Sequence, residues 1–117
     1  MTPRRLSDWS YAAADNGIVS STTPVTIKAA DASFRNYISS VQISWGTLSA
    51  ATEFMIRDGA AGTVLWRVAL PTVAAGVMCV VFRTPLKNVL TNTLLEVLAE
   101  TSVTGGIFFN AQGFVGP

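Results

Sequence analysis

The chain has 117 residues, half of them hydrophobic and only 13% charged, with a formal net charge of +1. This length corresponds to one domain, and the composition excludes a disordered chain. The chain has no histidine and one cysteine, which excludes histidine-based catalysis, histidine metal ligands and an internal disulfide. We therefore expect a structural or binding protein without a cofactor, and neither a nucleic-acid nor a membrane partner.

The N-terminal residues 1–23 are predicted to form an extended arm, and residues 24–117 the folded domain. No long apolar run follows the two arginines at positions 4 and 5, so a signal peptide is not expected. A weak strand is predicted over residues 9–13, and the Asp-Asn-Gly sequence at 15–17 predicts a turn after it.

Two further strands are predicted over residues 25–30 and 37–46. In the second, Tyr37 alternates on one face with Val41, Ile43 and Trp45, while serine and glutamine occupy the other face. This period of two is typical of a strand with one buried face.

A hairpin is predicted over residues 53–57 and 63–70, because the five residues between them contain two glycines. A loop of five residues places Glu53 opposite Arg67, a charge pair, and Phe54 opposite Trp66 on the other face. Cross-strand pairs of these kinds stabilise a sheet.

Residues 77–83 are predicted to form a strand that Pro85 ends. One face carries Val77, Cys79 and Val81, and the other carries Met78, Val80 and Phe82. Because both faces are apolar, the strand is expected to be central in a sheet and covered on both sides, with a buried and unreactive thiol.

The last two strands are predicted over residues 93–101 and 107–115. A helix over residues 91–100 competes with the first of them, because leucine and glutamate favour helices. About eight short strands in one small domain favour an all-β fold, a jelly-roll-like antiparallel β-sandwich.

Strands that are apolar on both faces exceed what one interior layer can cover. The surplus predicts a homo-oligomer, a trimer or a dimer. The candidate subunit-interface residues are Met78, Val80, Phe82, Phe108 and Phe114. The alternative is that these strands lie between other elements of the same chain.

No pattern of catalytic residues accompanies the strands, so we do not predict an enzyme. Asp8, Asp15 and Asp58 lack the spacing of a calcium loop and are interpreted as turn residues. Glu53 with Glu96 or Glu100 would form a glycosidase pair only if the fold brought them together, and their spacing does not indicate this.

Residues 9–30, 35–67 and 92–116 resemble a family of small tailed-bacteriophage virion proteins, the capsid decoration or cement proteins. The best-matched pieces are Ile-Arg-Asp-Gly at 56–59, Val-Leu-Trp-Arg at 64–67 and Asn-Ala-Gln-Gly-Phe at 110–114. Residues 84–91 match least well.

The resemblance implies a β-sandwich, made in the host cytoplasm, that sits on the capsid exterior. It also implies binding to the major capsid protein at symmetry axes of the lattice as a trimer or dimer. The arm would contact the lattice, with Arg4, Arg5, Trp9 and Tyr11 as candidates, since arginine and large aromatic residues dominate binding sites. The alternative is a tail-fibre or baseplate module that binds host-surface carbohydrate.

Overall fold

The computed structural model describes residues 6–13, 21–72 and 75–117. In these ranges the chain forms eight strands: β1 Ser7–Tyr11, β2 Val25–Lys28, β3 Arg35–Trp45, β4 Thr52–Asp58, β5 Thr63–Leu70, β6 Gly76–Lys87, β7 Leu95–Ala99 and β8 Ile107–Gly116. The described ranges contain no candidate for a membrane-spanning helix.

The strands form two antiparallel four-stranded sheets, with orders β1-β8-β3-β6 (the first sheet) and β2-β7-β4-β5 (the second sheet). Strand β1 pairs with β8, β2 with β7, β3 with β6, and β4 with β5. The first half of the chain thus pairs antiparallel with the second half, strand by strand, and the four pairs alternate between the two sheets. This is the jelly-roll arrangement. The predicted all-β sandwich is confirmed, and residues 95–99 form a strand rather than the competing helix.

The core lies between the two sheets and is filled from alternate positions of each strand. Phe54 of β4 and Phe109 of β8 meet across it with ring centroids 4.9 Å apart. Both side chains are fully buried, and burial of this kind stabilises by about 1.5–3 kcal/mol for each large apolar side chain.

The interior positions of β7 and β8 account for much of the apolar surplus that the sequence suggested. Strand β7 lies between β2 and β4, and β8 lies between β1 and β3. All five residues of β7 are buried. For these two strands the alternative holds: their apolar residues are largely covered by elements of the same chain.

The predicted register of the β4–β5 hairpin is wrong. Asp58 pairs with Thr63, so the loop is one residue shorter than predicted. A bulge follows, because Ile56 pairs with Trp66 while Arg57 pairs with Val64. Together, the shorter loop and the bulge shift the pairing of β4 with β5 by two residues before the bulge. Side chains alternate with a period of two, so a shift of two leaves the same side chains on each face of the hairpin.

Glu53 consequently faces Ala69, and Phe54 faces Val68. Glu53 and Arg67 still form an ion pair, at 3.4 Å between Oε1 and Nη1, but as diagonal neighbours. Phe54 and Trp66 are not opposite each other. Phe54 packs in the core, and Trp66 contacts Phe82 of the first sheet.

Strand β3 also departs from its predicted alternation. Its register shifts between Ile38 and Ser40, so that Ile38, and not Tyr37, joins the core. Tyr37 stacks on Phe114 with ring centroids 4.6 Å apart. A bulge changes which face a strand residue occupies, which explains the difference.

A buried ion pair joins β4 to β7 on the outer face of the second sheet. Arg57 Nε donates to Glu96 Oε2 at 2.7 Å, and the backbone N–H of Ala61 in the hairpin loop donates to the same oxygen at 3.0 Å. The Glu96 side chain is only 6% exposed. Within the described part of the chain, these two N–H groups are the hydrogen-bond donors to the carboxylate.

A buried pair of asparagines ties one end of the sandwich together. The backbone N–H of Asn36 donates to Asn88 Oδ1 at 3.0 Å, and Asn88 Nδ2 donates to Asp58 Oδ1 at 2.8 Å and to the Leu94 carbonyl at 3.2 Å. Both asparagines are fully buried. Strands β3 and β4 and the segment 88–94 are thus fixed to one another.

Candidate association surface

Strand β6 is an edge strand, which corrects the prediction that it is central. It lies at the end of the first sheet, and among the described strands it pairs only with β3. It also continues to Lys87 instead of ending at Arg83. An edge strand tolerates Pro85 because an edge residue need not donate to a neighbour.

The outward residues Val77, Cys79 and Val81, here called the apolar edge, are exposed to solvent. Val77 is 73% exposed and Val81 is 82% exposed, and the Cys79 thiol is exposed instead of buried as predicted. The sequence misled because a strand that is apolar on both faces usually has both faces covered within its own chain.

The first half of β6 lacks the features that normally protect an edge strand. Charged side chains, proline and bulges discourage edge-to-edge pairing. In β6 these features come late: the register shift, Arg83, Pro85 and Lys87 all follow Val81. Residues 76–82 therefore present an uncharged edge that is open to another strand.

The face beside the apolar edge is polar. Gln42 of β3 and Gln112 of β8 exchange two amide hydrogen bonds, at 3.1 and 3.2 Å. Ser40 Oγ donates to Gln112 Oε1 at 2.6 Å. Phe108, one predicted interface residue, is half-buried on this face opposite Ser44. This part of the outer face of the first sheet therefore carries the paired amides of Gln42 and Gln112 beside the half-buried ring of Phe108.

The predicted interface residues Met78, Val80 and Phe82 lie on the inner side of β6. They are half-buried and pack against the core. Phe82 meets Trp66 of β5 edge to face, with ring centroids 6.1 Å apart. Strands β5 and β6 are the edges of their sheets on this side. The side chains therefore lie at the open side of the sandwich, between the two sheet edges, where the chain covers them only in part.

Phe114, the remaining predicted interface residue, lies inside its own chain. It is 1% exposed and stacks on Tyr37, whose hydroxyl donates to the Pro117 carbonyl at 2.5 Å. Its surroundings give it a role in folding and leave it no surface for a second subunit.

Part of the predicted N-terminal arm belongs to the sandwich, since β1 pairs with β8. Trp9 Nε1 donates to the Phe114 carbonyl at 3.3 Å, and a Cβ atom on Gly113 would lie 2.6 Å from Trp9 Cζ2. Glycine at 113 thus makes room for the indole ring. Tyr11 packs against the core, and burial raises the pKa of its phenol above 10.0. Arg4 and Arg5 lie outside the described residues.

The acidic residues considered as metal ligands or catalytic groups, where the structure describes them, have hydrogen-bond or ion-pair partners or are exposed. Within residues 6–13, 21–72 and 75–117, no group of three or more cysteine, aspartate and glutamate side chains gathers to hold a metal ion. Asp58 accepts hydrogen bonds from Asn88 and from the Val89 N–H, and Asp15 lies outside the described ranges.

The fold does bring Glu53 and Glu100 to one open cavity. Glu53 is paired with Arg67 and Glu100 is exposed, whereas the acid of a glycosidase sits in a pocket that excludes water. Glu96, the other residue considered for such a pair, is bound to Arg57. These surroundings do not favour glycoside hydrolysis.

No protein-family model matches the chain, and no curated protein matches it. Among solved structures, the chain is similar to the coat protein of Tobacco streak virus, with a TM-score of 0.38 and 12% identity over 99% of this chain and 85% of that chain. A score this low at this identity does not establish a common topology. The sheet orders given above are therefore what defines this chain as a jelly-roll sandwich.

Proposed function

We propose that this protein is a virion structural protein that associates with itself through β6 and decorates the exterior of a phage capsid. The apolar edge of β6 carries the proposal, because a long, uncharged and unpaired edge is an association site unless something covers it. The resemblance of residues 9–30, 35–67 and 92–116 to phage decoration proteins supports the capsid as the setting.

Self-association follows most simply from antiparallel pairing of β6 with β6 of a second copy. With the two-fold axis at Cys79, Val77 of one copy lies opposite Val81 of the other. Arg83 and Lys87 of the two copies then point to opposite ends of the ribbon. A parallel arrangement would place these cations side by side, which is unfavourable. Two copies would share one eight-stranded sheet.

This register predicts that mild oxidation with diamide links Cys79 of one copy to Cys79 of the other. Directly opposed residues in antiparallel strands have Cα atoms about 4.5–5.5 Å apart, within the range of about 4.4–6.8 Å that a disulfide requires. Two thiols lose two protons and two electrons, and diamide accepts them. Non-reducing electrophoresis should show a dimer of the 12.4 kDa chain.

The control for this experiment is Val81→Lys, which keeps the only thiol of the chain but places a cation in the apolar edge. It should abolish the cross-link at the same protein concentration. Equal cross-linking of both proteins would mean that the thiols meet by random collision, and the proposed pairing would be wrong.

Capsid binding would use the outer face of the first sheet, with the arm residues Arg4 and Arg5 as further lattice contacts. Its amide groups can exchange hydrogen bonds with a partner surface around Phe108. A protein that binds the assembled lattice but not loose subunits stabilises the lattice by mass action. A dimer attaches at two points, which raises the effective concentration of the second contact.

Co-sedimentation with expanded shells that lack decoration tests this function. The wild-type protein should pellet with the shells in a saturable manner. Val81→Lys should bind at least about 100-fold more weakly, because it loses the second attachment point. Wild-type protein that stays in the supernatant at all concentrations would contradict capsid decoration.

Binding of host carbohydrate is the second candidate function, and one observation favours it. An open cavity of about 440 Å³ lies over β1 and β8, lined in part by Trp9, Asp8 and Gln112. An indole ring beside carboxylate and amide groups is suited to a sugar. Failure to pellet with shells, together with binding to host glycans, would favour this alternative.

A further inference from the structure

The outward residues of the first sheet form three rows that cross strands β6, β3 and β8. The register places Val77 beside Ser44, and Ser44 beside Phe108. Side chains alternate between the two faces of a strand, so every second residue adds a row to the same face. The nine residues, here called the uncharged face, are Val77, Ser44 and Phe108, then Cys79, Gln42 and Asn110, then Val81, Ser40 and Gln112.

None of these nine residues is an aspartate, glutamate, lysine or arginine. The charged residues closest to the third row along β1 and β6 are Asp8 and Arg83, each two positions beyond it. A partner that buried a charged group against the rows would therefore meet no opposite charge. Burial of an unpaired charge is costly, so the uncharged face disfavours charged partners.

The amide groups of the uncharged face are already held in place. Gln42 and Gln112 exchange two hydrogen bonds, and Ser40 Oγ donates to Gln112. Asn110 Oδ1 accepts from the backbone N–H of Ala13 at 3.1 Å. Each amide has two donor and two acceptor positions and so can still bond to a partner. Because these side chains are fixed in advance, binding costs them little entropy.

Pairing of β6 with a second copy leaves the apolar edge open on one side. Strands join through backbone groups in the plane of the sheet, whereas side chains stand perpendicular to that plane. Val77 and Val81 are 73% and 82% exposed in one chain, and they still face outward in the paired sheet. The two apolar edges then lie side by side as one stripe, to which both copies contribute. The amides of Gln42 and Gln112 flank the stripe on both sides.

On the basis of the proposed function, we propose that the capsid surface bound by the uncharged face is itself uncharged at the contact. Apolar side chains of the capsid protein cover the stripe, and its hydroxyl or amide groups bond to Gln42, Gln112 and Asn110. Surfaces that carry acidic or basic groups at this position are rejected, because those groups would lose their water without gaining a partner. Binding through this contact is insensitive to ionic strength, since salt screens only charges.

Co-sedimentation with expanded, undecorated shells tests this in the double variant Arg4→Ala, Arg5→Ala, here called the parent, which lacks the charges of the arm. Its affinity should change by less than about threefold between about 0.05 M and about 1 M sodium chloride, a range over which the screening length falls several-fold. Ser44→Glu in the parent places a carboxylate between Val77 and Phe108. It should weaken binding at least about 10-fold.

Ser102→Glu is the matched control, because it makes the same replacement at an exposed position in the loop between β7 and β8. It should bind shells like the parent. Sedimentation equilibrium should give the same mass for all three proteins, since position 44 lies one strand away from the edge at which β6 pairs. Melting curves followed by circular dichroism show whether each variant is folded. The salt series needs no substitution in the uncharged face and decides the question even if Ser44→Glu is unstable.

Two results would overturn the inference while capsid decoration stands: parent binding that falls more than about 10-fold with salt, or a folded Ser44→Glu protein that binds like the parent. A parent that stays in the supernatant while the wild-type protein pellets would assign the contact to the arm and also overturn it. Wild-type protein that fails to pellet at every salt concentration contradicts the proposed function itself. Loss of neutral glycan binding in Ser44→Glu would then assign the uncharged face to carbohydrate.

Discussion

Replacing Arg57 with methionine is expected to lower the free energy of unfolding by about 3–5 kcal/mol, because the Glu96 carboxylate then remains buried without its cation. Methionine retains much of the apolar stem, so the loss reports mainly on charge and hydrogen bonding. Of the donors in the described ranges, the Ala61 N–H then remains for the carboxylate. Urea denaturation of the Val81→Lys protein measures the loss without interference from β6 pairing.

The same substitution at Arg67 is the matched control. Arg67 lies on the same hairpin and pairs with Glu53, but the two side chains are 51% and 36% exposed. Arg67→Met should cost about 1 kcal/mol or less, since exposed ion pairs contribute little. Combining Arg57→Met with Glu96→Met should recover part of the loss. Equal effects of Arg57→Met and Arg67→Met would refute the role assigned to the buried pair.

Asn88→Ala is expected to cost about 2–4 kcal/mol, because it leaves the buried N–H of Asn36 without its acceptor and removes one donor from Asp58. Asn88→Asp should be at least as harmful. It has nearly the same shape, but it places a carboxylate oxygen where Nδ2 now meets Asp58. Urea denaturation measures both variants.

Gln112→Ala is the control for the asparagine variants. Its amide also makes several hydrogen bonds, but on the exposed outer face of the first sheet, where water replaces them. We expect a loss below about 1 kcal/mol. An Asn88→Ala protein as stable as the wild type would show that the buried asparagines do not fix this end of the sandwich.

Local patterns in the sequence predicted the elements of the fold well, because each depends on neighbouring residues. The alternation in residues 41–45 reflects one face of β3 that packs on the core. The two glycines between residues 57 and 63 predicted the turn of the β4–β5 hairpin, and Gly59 adopts a positive φ angle. Eight strands with these turns left few architectures other than a two-sheet sandwich.

The bulges in β3 and β5 could not be predicted in this way, because pairing between strands determines them. A strand residue changes face after a bulge, and this exchanged Ile38 and Tyr37 between the two faces of the first sheet. The buried contacts were missed for a similar reason. Arg57 and Glu96 lie 39 residues apart, and Asn36 and Asn88 lie 52 apart, so no local spacing indicates them.

The candidate interface residues were placed on one face of β6, whereas the exposed residues of that strand lie on its other face. The apolar character of residues 77–82 indicated a surface that needs covering. The sequence did not reveal that Met78, Val80 and Phe82 pack against the core while Val77 and Val81 face solvent. Both sets are apolar and have the same period, so the sequence alone does not indicate which of them faces the core.

The central claim is that the apolar edge of β6 joins copies of this chain. Sedimentation equilibrium in reducing buffer tests it most directly, by comparing the wild-type protein with Val81→Lys at micromolar concentrations. We predict a wild-type mass of at least twice 12.4 kDa and a shift of Val81→Lys towards monomer at the same concentration. A wild-type protein that sediments as a 12.4 kDa monomer, or a Val81→Lys protein with an unchanged mass, would contradict the account.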